Sequence, residues 1–409
     1  MTLMTSVSIR TAIKPIHPFP ARMAPEIVFA ELRRNRRHRV VLDPMAGSGT
    51  TLVAARLGGH AAIGFDTDPL AVLIAKVGAS DIRKGSLRKA AEKVLSLAKY
   101  DYTYVRDCHA YPVGADAETK DFVSFWFDPT TRRQLCALSN CIADSEVGEY
   151  QNALWCAFSR MIITKKVGVS RGIDVSHSRP HILYDQAPVR PFEMFMSQVE
   201  KLVSASSFTD VRPDAPRARV AAGDARSLPL EDGSVDLVIT SPPYLNAIDY
   251  LRGHKLSLVW MGYPLSKLRE IRGSNVGAEK SGSSDTPAPQ IRAALGRLGG
   301  VVSLGTRWEG IARKYVTDLD AVVSELARVT KPDGKLALVI GDSTVRGVFV
   351  RNSSAIRTLC GAHGFRLTSL TRRSLPANKR YLPPPSTDRT TSDLDGRMTE
   401  EVILRFVRE

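Results

Sequence analysis

Two apolar stretches that each run into a short, chemically loaded turn constrain this chain more than any other feature. Val40-Val41-Leu42 leads into Asp43-Pro44-Met45-Ala46-Gly47-Ser48-Gly49-Thr50-Thr51 and then a helical stretch to Leu57. Val235 to Ile239 leads into Thr240-Ser241-Pro242-Pro243-Tyr244. Apolar strands that end in such turns belong to open α/β sheets, which bind ligands at the carboxyl ends of their strands. The glycines of the first turn let a ligand approach the backbone closely, and the helix behind it offers free N–H groups. No lysine follows Gly49, so this is not a phosphate-cradling loop. Asp43 at the strand end favours a cationic or amine-bearing ligand instead. A second strand, Ala61 to Phe65, ends in Asp66, with Asp68 following. An acid there can hold ribose hydroxyls in nucleotide-binding folds.

In the second turn, two consecutive prolines fix φ and remove two backbone N–H donors. What remains is a rigid run of carbonyl acceptors, the Ser241 hydroxyl and the Tyr244 ring. That set suits a flat base whose exocyclic amine donates hydrogen bonds while its ring is stacked. For the motif alone, a proline-rich strand exit with Tyr244 packed in the core is an equal alternative.

Together, in this order, the two motifs resemble those of the S-adenosylmethionine-dependent DNA amino-methyltransferases, which methylate N4 of cytosine or N6 of adenine. The segment His17-Pro18-Phe19-Pro20-Ala21-Arg22-Met23-Ala24-Pro25 is similar to the one that precedes the glycine-rich motif in many members and helps enclose the methionine part of the cofactor. The likeness covers about residues 14–78 and 218–262, and more weakly 331 to the end. It implies a doubly wound, mostly parallel seven-stranded methyltransferase sheet with an antiparallel last strand. It implies S-adenosyl-L-methionine as cofactor, held by Phe19, Ala21, Asp43, Pro44, Ala46, Gly47, Ser48, Gly49, Thr50, Asp66 and, near the adenine, Asp224. Catalysis falls to Ser241, Pro242, Pro243 and Tyr244.

Composition agrees with a globular enzyme. The 409 residues suffice for a large core, and 43% apolar with 24% charged residues is ordinary. No uninterrupted apolar run is long enough to span a membrane, and Met1 to Arg10 lacks the apolar core of a signal peptide. Five cysteines without CxxC spacing point to reduced thiols in a prokaryotic cytoplasm. His177 and His181 flank Pro180 and lack further ligands, so no metal site is expected. The formal charge of +15 suits a polyanionic partner, here double-stranded DNA, with a cognate restriction endonuclease acting on the same site as a possible companion. The dense run Arg33 to Arg39 precedes the first strand and should lie on the edge opposite the site.

The expected organisation is an N-terminal half of the catalytic domain (1–79), an inserted, mainly helical subdomain (80–216) and a C-terminal half (217–409). An insertion of that length calls for a reason, and a DNA-facing role is favoured over a packing element. Its polar loop, Lys165 to Arg190, mixes small and basic residues, among them Lys165, Lys166, Arg171 and Arg179, as in loops that follow phosphates. Residues 272–306, rich in Gly, Ser and Ala, read as a mobile loop, and Lys331-Pro332-Asp333-Gly334 as a turn. Phe365–Leu370 and Glu401–Val407 read as a closing antiparallel pair. The loop between them carries Arg372, Arg373, Lys379 and Arg380 on the catalytic face.

The expected reaction takes a base out of the duplex, stacks it on Tyr244 and directs its amine at the Ser241 hydroxyl and the Pro242 carbonyl. Ser in the first motif position is most often associated with N4-cytosine enzymes, so cytosine is placed ahead of adenine. None of the five cysteines follows a proline, which sets aside C5-cytosine chemistry. An RNA amino-methyltransferase and a cofactor-binding protein without catalysis remain as alternatives.

Overall fold

A computed structural model describes residues 13–20, 22–34, 38–145, 148–165, 167–205, 215–245, 249–278, 287–300, 304–346, 348–375 and 400–409. Its centre is one seven-stranded sheet. The strands are β1 (Val40–Asp43), β2 (Ala61–Asp66), β3 (Arg219–Ala222), β4 (Val235–Thr240), β5 (Thr330–Ile340), β6 (Phe365–Ser374) and β7 (Glu400–Arg408). Their spatial order is β6-β7-β5-β4-β1-β2-β3. Pairs among β3, β2, β1, β4 and β5 are parallel, while β7 runs antiparallel between β5 and β6. This is the expected doubly wound methyltransferase sheet with its antiparallel last strand. The order reverses at β1 and β4, so the crevice for a ligand opens at their carboxyl ends.

Helices cover both faces. Pro25 opens α1 (Pro25–Arg33), where the missing N–H costs nothing. Together with α2 (Thr50–Leu57), it packs Val28, Leu32, Leu52 and Ala55 against Val41 and Ile239 of the sheet. The opposite face is covered by α12 (Thr306–Val329) and α13 (Asn352–Ala362), with Val316, Leu319, Val323 and Ile356 against Val238, Leu336 and Leu404.

The insertion after α3 (Pro69–Gly78) is helical, as expected: α4 (Lys84–Asp101), α5 (Ala117–Trp126), α6 (Pro129–Ala143), α7 (Glu149–Ile162) and α8 (Pro191–Ala205). Its apolar core, around Leu135, Phe158 and Phe195, is continuous with Leu70 and Ile74 of α3 and with Leu256 of α9 (Leu251–Leu258). The insertion is thereby seated on the elements that follow β2 and β4. Among the described residues no helix is long and apolar enough to cross a membrane.

Three sequence expectations need correction. The stretch 272–306 contains the end of α10 (Leu265–Ser274) and all of α11 (Pro289–Leu298), whose Ile291, Ala294 and Leu298 are buried. Ile291, Ala294 and Leu298 sit at helical spacing, and that spacing outweighs the loop-like composition. Lys331–Gly334 is no turn between elements. It is an irregularity inside β5, where the pairing partner of β4 shifts from Thr330 to Lys335 and Asp333 takes φ 59°. Arg372 and Arg373 are strand residues, because β6 continues to Ser374 opposite Glu400.

Candidate active site

The carboxyl edge of the sheet brings the two sequence motifs into contact. Asp43 and Thr240 end neighbouring strands, and Thr240 Oγ1 donates to Asp43 Oδ1 at 2.7 Å with both side chains buried. Met45 N donates to the same carboxylate at 3.3 Å. Burial pushes the Asp43 carboxyl up to about 6, against the opposing effect of its hydrogen bonds to Thr240, Thr51 and Met45.

Asp66, at the end of β2, accepts from Gly47 N at 2.8 Å and from Asp68 N at 2.9 Å. Burial and the neighbouring Asp68 carboxylate push it up to about 7. Neither Asp43 nor Asp66 has a cationic side chain as partner among the described residues. Gly47 and Gly49 both take left-handed φ, +50° and +78°. Their reasons differ: a Cβ at Gly49 would lie 2.8 Å from Ala75 Cα on α3, whereas one at Gly47 would meet only the Phe19 ring at 3.5 Å. Gly49 therefore lets α2 approach α3, and Gly47 shapes the half-buried turn. Ser48 is half-buried beside it, while Pro44, Ala46 and Thr50 are buried. The Phe19 ring also packs on Tyr250 and His254, with ring centroids 5.3 Å apart in each case.

These groups fit the cofactor that the fold implies. A buried carboxylate, Asp43, and a half-buried one, Asp66, both without cations, suit a ligand with a positive centre and hydroxyl donors. The positive-φ turn lets such a ligand approach the backbone, and Phe19 lies beside it. These carboxylate acceptors suit a nucleoside carrying a sulfonium, whereas a polyphosphate would meet their like charge.

The second motif is pinned from several directions. The Ser241 hydroxyl donates to the Val339 carbonyl on β5 at 2.8 Å, which leaves its oxygen lone pairs as acceptors. Tyr315 Oη on α12 donates to the Pro243 carbonyl at 3.1 Å. Leu245 N donates to Oδ1 of the fully buried Asn352, whose Nδ2 is bonded to the Gly341 carbonyl at 3.0 Å. The half-buried Tyr244 ring lies against the cluster that contains Tyr315 and Val316. Burial, with Glu401 nearby, pushes its phenol up to about 12, so it stays neutral.

Other expected site residues are arranged differently. Asp224 lies beside the end of β2, where Gly223 N donates to the Asp66 carbonyl. Its carboxylate, however, is clasped by Arg226 at 2.6 Å, and the same guanidinium bonds Asp318 and the Ser274 carbonyl. Lys165 and Arg179 are exposed on the insertion. Arg171 is a packing residue, bonded to the carbonyls of Tyr184 and Phe125, because it ties its loop to α5. Arg372 pairs with Glu400 at 3.6 Å, and Arg373 pairs with Glu401 and, at 3.9 Å, with Glu26. Ala21, Lys166, Lys379 and Arg380, with Arg36 and Arg37 of the basic run, lie outside the described residues.

Sequence reading passed over several groups that hold the site together: His254, Tyr315, Asn352 and Arg226. His254 is bonded to Asp68, the N-cap of α3. Its only signal in sequence is a position four residues after Tyr250, which a core histidine shares. Among the described residues no group of three or more His, Cys, Asp or Glu could hold a metal ion.

No family model matches the chain. Along its length it is similar to Type II methyltransferases. It is 22% identical to Type II methyltransferase M.MvaI of Kocuria varians over 95% of this chain and 89% of that one. It is 20% identical to Type II methyltransferase M.MjaII of Methanocaldococcus jannaschii over 80% of this chain and 71% of that one. A solved structure of a putative DNA modification methylase from Thermus thermophilus, complexed with S-adenosyl-L-methionine, is 20% identical, matching 46% of this chain and 53% of that one, with a TM-score of 0.23.

Proposed function

We propose that this protein transfers a methyl group from S-adenosylmethionine to the exocyclic N4 amine of a cytosine flipped out of duplex DNA. The observation that carries the reading is the 2.7 Å hydrogen bond between Thr240 and Asp43. It sets the Ser241–Tyr244 turn directly beside the glycine turn and the carboxylates of Asp43 and Asp66. A base amine directed at the one is then next to a ligand held by the other. The similarity to Type II methyltransferases along most of the chain supports the same reading.

S-adenosylmethionine would supply a sulfonium-bound methyl and leave as the neutral thioether, the methylated amine losing one proton to solvent. Asp66 would accept from its ribose hydroxyls, Asp43 would balance positive charge, and Phe19 with the Gly47 turn would enclose it. The Ser241 oxygen and the Pro242 carbonyl accept the hydrogens of the amine, which raises electron density on that nitrogen. The Pro243 carbonyl is already engaged by Tyr315. Tyr244 supplies an aromatic face for a base that has left the stack. No covalent nucleophile is needed, because position and oriented acceptors lower the barrier. This activity would methylate host DNA in a prokaryotic cytoplasm, with a cognate endonuclease acting on the same site as its companion.

The test is mass spectrometry of nucleosides after duplex DNA is incubated with the protein and isotopically labelled S-adenosylmethionine. Label in N4-methylcytosine is the expected outcome. Label in N6-methyladenine replaces the base and keeps the mechanism. Label confined to C5-methylcytosine or to RNA, or no transfer at all, refutes the reading.

A further inference from the structure

A second concave surface lies outside the two motifs, where the insertion meets the helices that follow the Ser241–Tyr244 turn. It is a groove of about 720 Å³ between α5, α9 and α10. Phe122 and Phe125 line it from α5, Arg252 and Lys255 from α9, and Arg269 and Arg272 from α10. Phe125 is 56% exposed and lines the groove, so its ring is open to a ligand. Its ring is edge-on to Trp126, with centroids 5.1 Å apart. The Lys255 ammonium sits 5.1 Å over the Phe122 ring.

The charges of the groove are unevenly balanced. Arg269 is paired with Glu118, and Arg272 with Asp249 at 2.7 Å. Among the described residues Arg252 and Lys255 have no carboxylate within ion-pair distance. Burial, then Arg272, and to a lesser degree Arg252 and Arg269, push the Lys255 ammonium below its ordinary value, while Asp249 opposes them. Positive charge is therefore concentrated there beyond what Glu118, Asp121 and Asp249 neutralise.

A half-buried ammonium, an exposed arginine and an aromatic face in one groove match the chemistry of a nucleic-acid strand: phosphates for the cations, a base for the ring. Resting on the proposed function, we propose that this groove holds the DNA strand flanking the methylated base, with phosphates on Arg252 and Lys255 and a base against Phe125. The DNA-facing surface of the insertion is then this α5 flank, joined to α9, and not the Lys165–Arg190 loop, where Arg171 serves packing. In the chain α9 follows the Ser241–Tyr244 segment, so strand seating and amine placement fall on the same connection between β4 and β5.

The experiment compares wild type with Phe125→Ala, Phe125→Tyr and the double variant Arg252→Glu/Lys255→Glu. Lys89→Glu/Lys93→Glu on the exposed side of α4 serves as the charge control. Duplex DNA affinity is measured by fluorescence anisotropy across salt concentrations, and S-adenosylmethionine affinity by calorimetry. The groove charge reversal should weaken DNA binding at least about tenfold and flatten the salt dependence, by about 0.9 in log–log slope for each phosphate that is no longer neutralised. Phe125→Ala should weaken DNA binding about fivefold or more, with Phe125→Tyr restoring it, because stacking needs only the ring. Cofactor affinity should be unchanged in all of them. If wild type methylates duplex DNA while the groove variants match it or the α4 control in affinity and slope, the groove assignment is overturned and the functional reading stands. If wild type transfers no methyl to DNA, the functional reading falls and the groove assignment with it.

Discussion

Asp68 Oδ2 lies 2.5 Å from His254 Nδ1, and both side chains are buried, so the loop after β2 is fastened to the helix after the Ser241–Tyr244 turn. The other Asp68 oxygen caps α3 through Leu70 N, and Asp68 N in turn is bonded to Asp66, which holds Gly47 N. An unbroken polar chain thus runs from the glycine turn to α9. His254→Ala removes the partner of a buried carboxylate and should cost about 3–5 kcal/mol of stability. Urea unfolding reads this directly; a loss below about 1 kcal/mol would mean that the pairing carries little.

The two raised carboxylates set a pH dependence. Asp43 and Asp66 hold their protons more tightly when folded, at about 6 and about 7, than at the ordinary value of 3.8. Their contribution to stability is therefore present in acid and lost as pH rises through those values. The unliganded protein should lose stability between about pH 4 and 7 from this source, and Asp66→Asn should flatten the upper part of the curve. S-adenosylmethionine affinity should move the opposite way, rising with pH as the carboxylates ionise and can hold its hydroxyls and positive centre. Calorimetric affinities that stay level between about pH 5 and 8 would contradict this assignment.

Ser241 and Tyr244 should separate methyl transfer from cofactor binding. Ser241→Ala removes an acceptor for the amine together with the anchor on Val339, and should raise the barrier to transfer by about 1–3 kcal/mol. Tyr244→Ala loses a stacking face worth about 1–3 kcal/mol, whereas Tyr244→Phe keeps it. Single-turnover transfer and cofactor calorimetry on the same samples decide the matter. Equal losses in both measurements would place these residues in general folding.

Gly47 and Gly49 should differ although both have positive φ. Gly49→Ala drives a methyl into the α3 backbone at Ala75, an overpacking cost of about 1–3 kcal/mol added to the strain of its φ. Gly47→Ala bears the φ strain but meets only the Phe19 ring. Thermal unfolding should rank Gly49→Ala clearly below Gly47→Ala, and the opposite order would show that α2 and α3 can separate at little cost.

The sequence by itself determined the sheet and its working edge. Apolar runs such as Val40–Leu42 and Val235–Ile239 are buried on both faces, so composition and length mark them as parallel strands, and the turn chemistry at their ends follows in the same stretch of chain. Only the tertiary structure decided which side chains serve the site and which serve packing. Asp43 and Thr240 are 197 positions apart, Asp68 and His254 186, and neither pairing leaves a local signal. Charge was the least legible property: a guanidinium reads the same in sequence whether it faces DNA, as proposed for Arg252, or closes a loop, as Arg171 does. Residues 272–306 show the same limit for backbone, since Gly, Ser and Pro favour loops locally, while burial of Ile291, Ala294 and Leu298 against the core stabilises a helix over Pro289–Leu298.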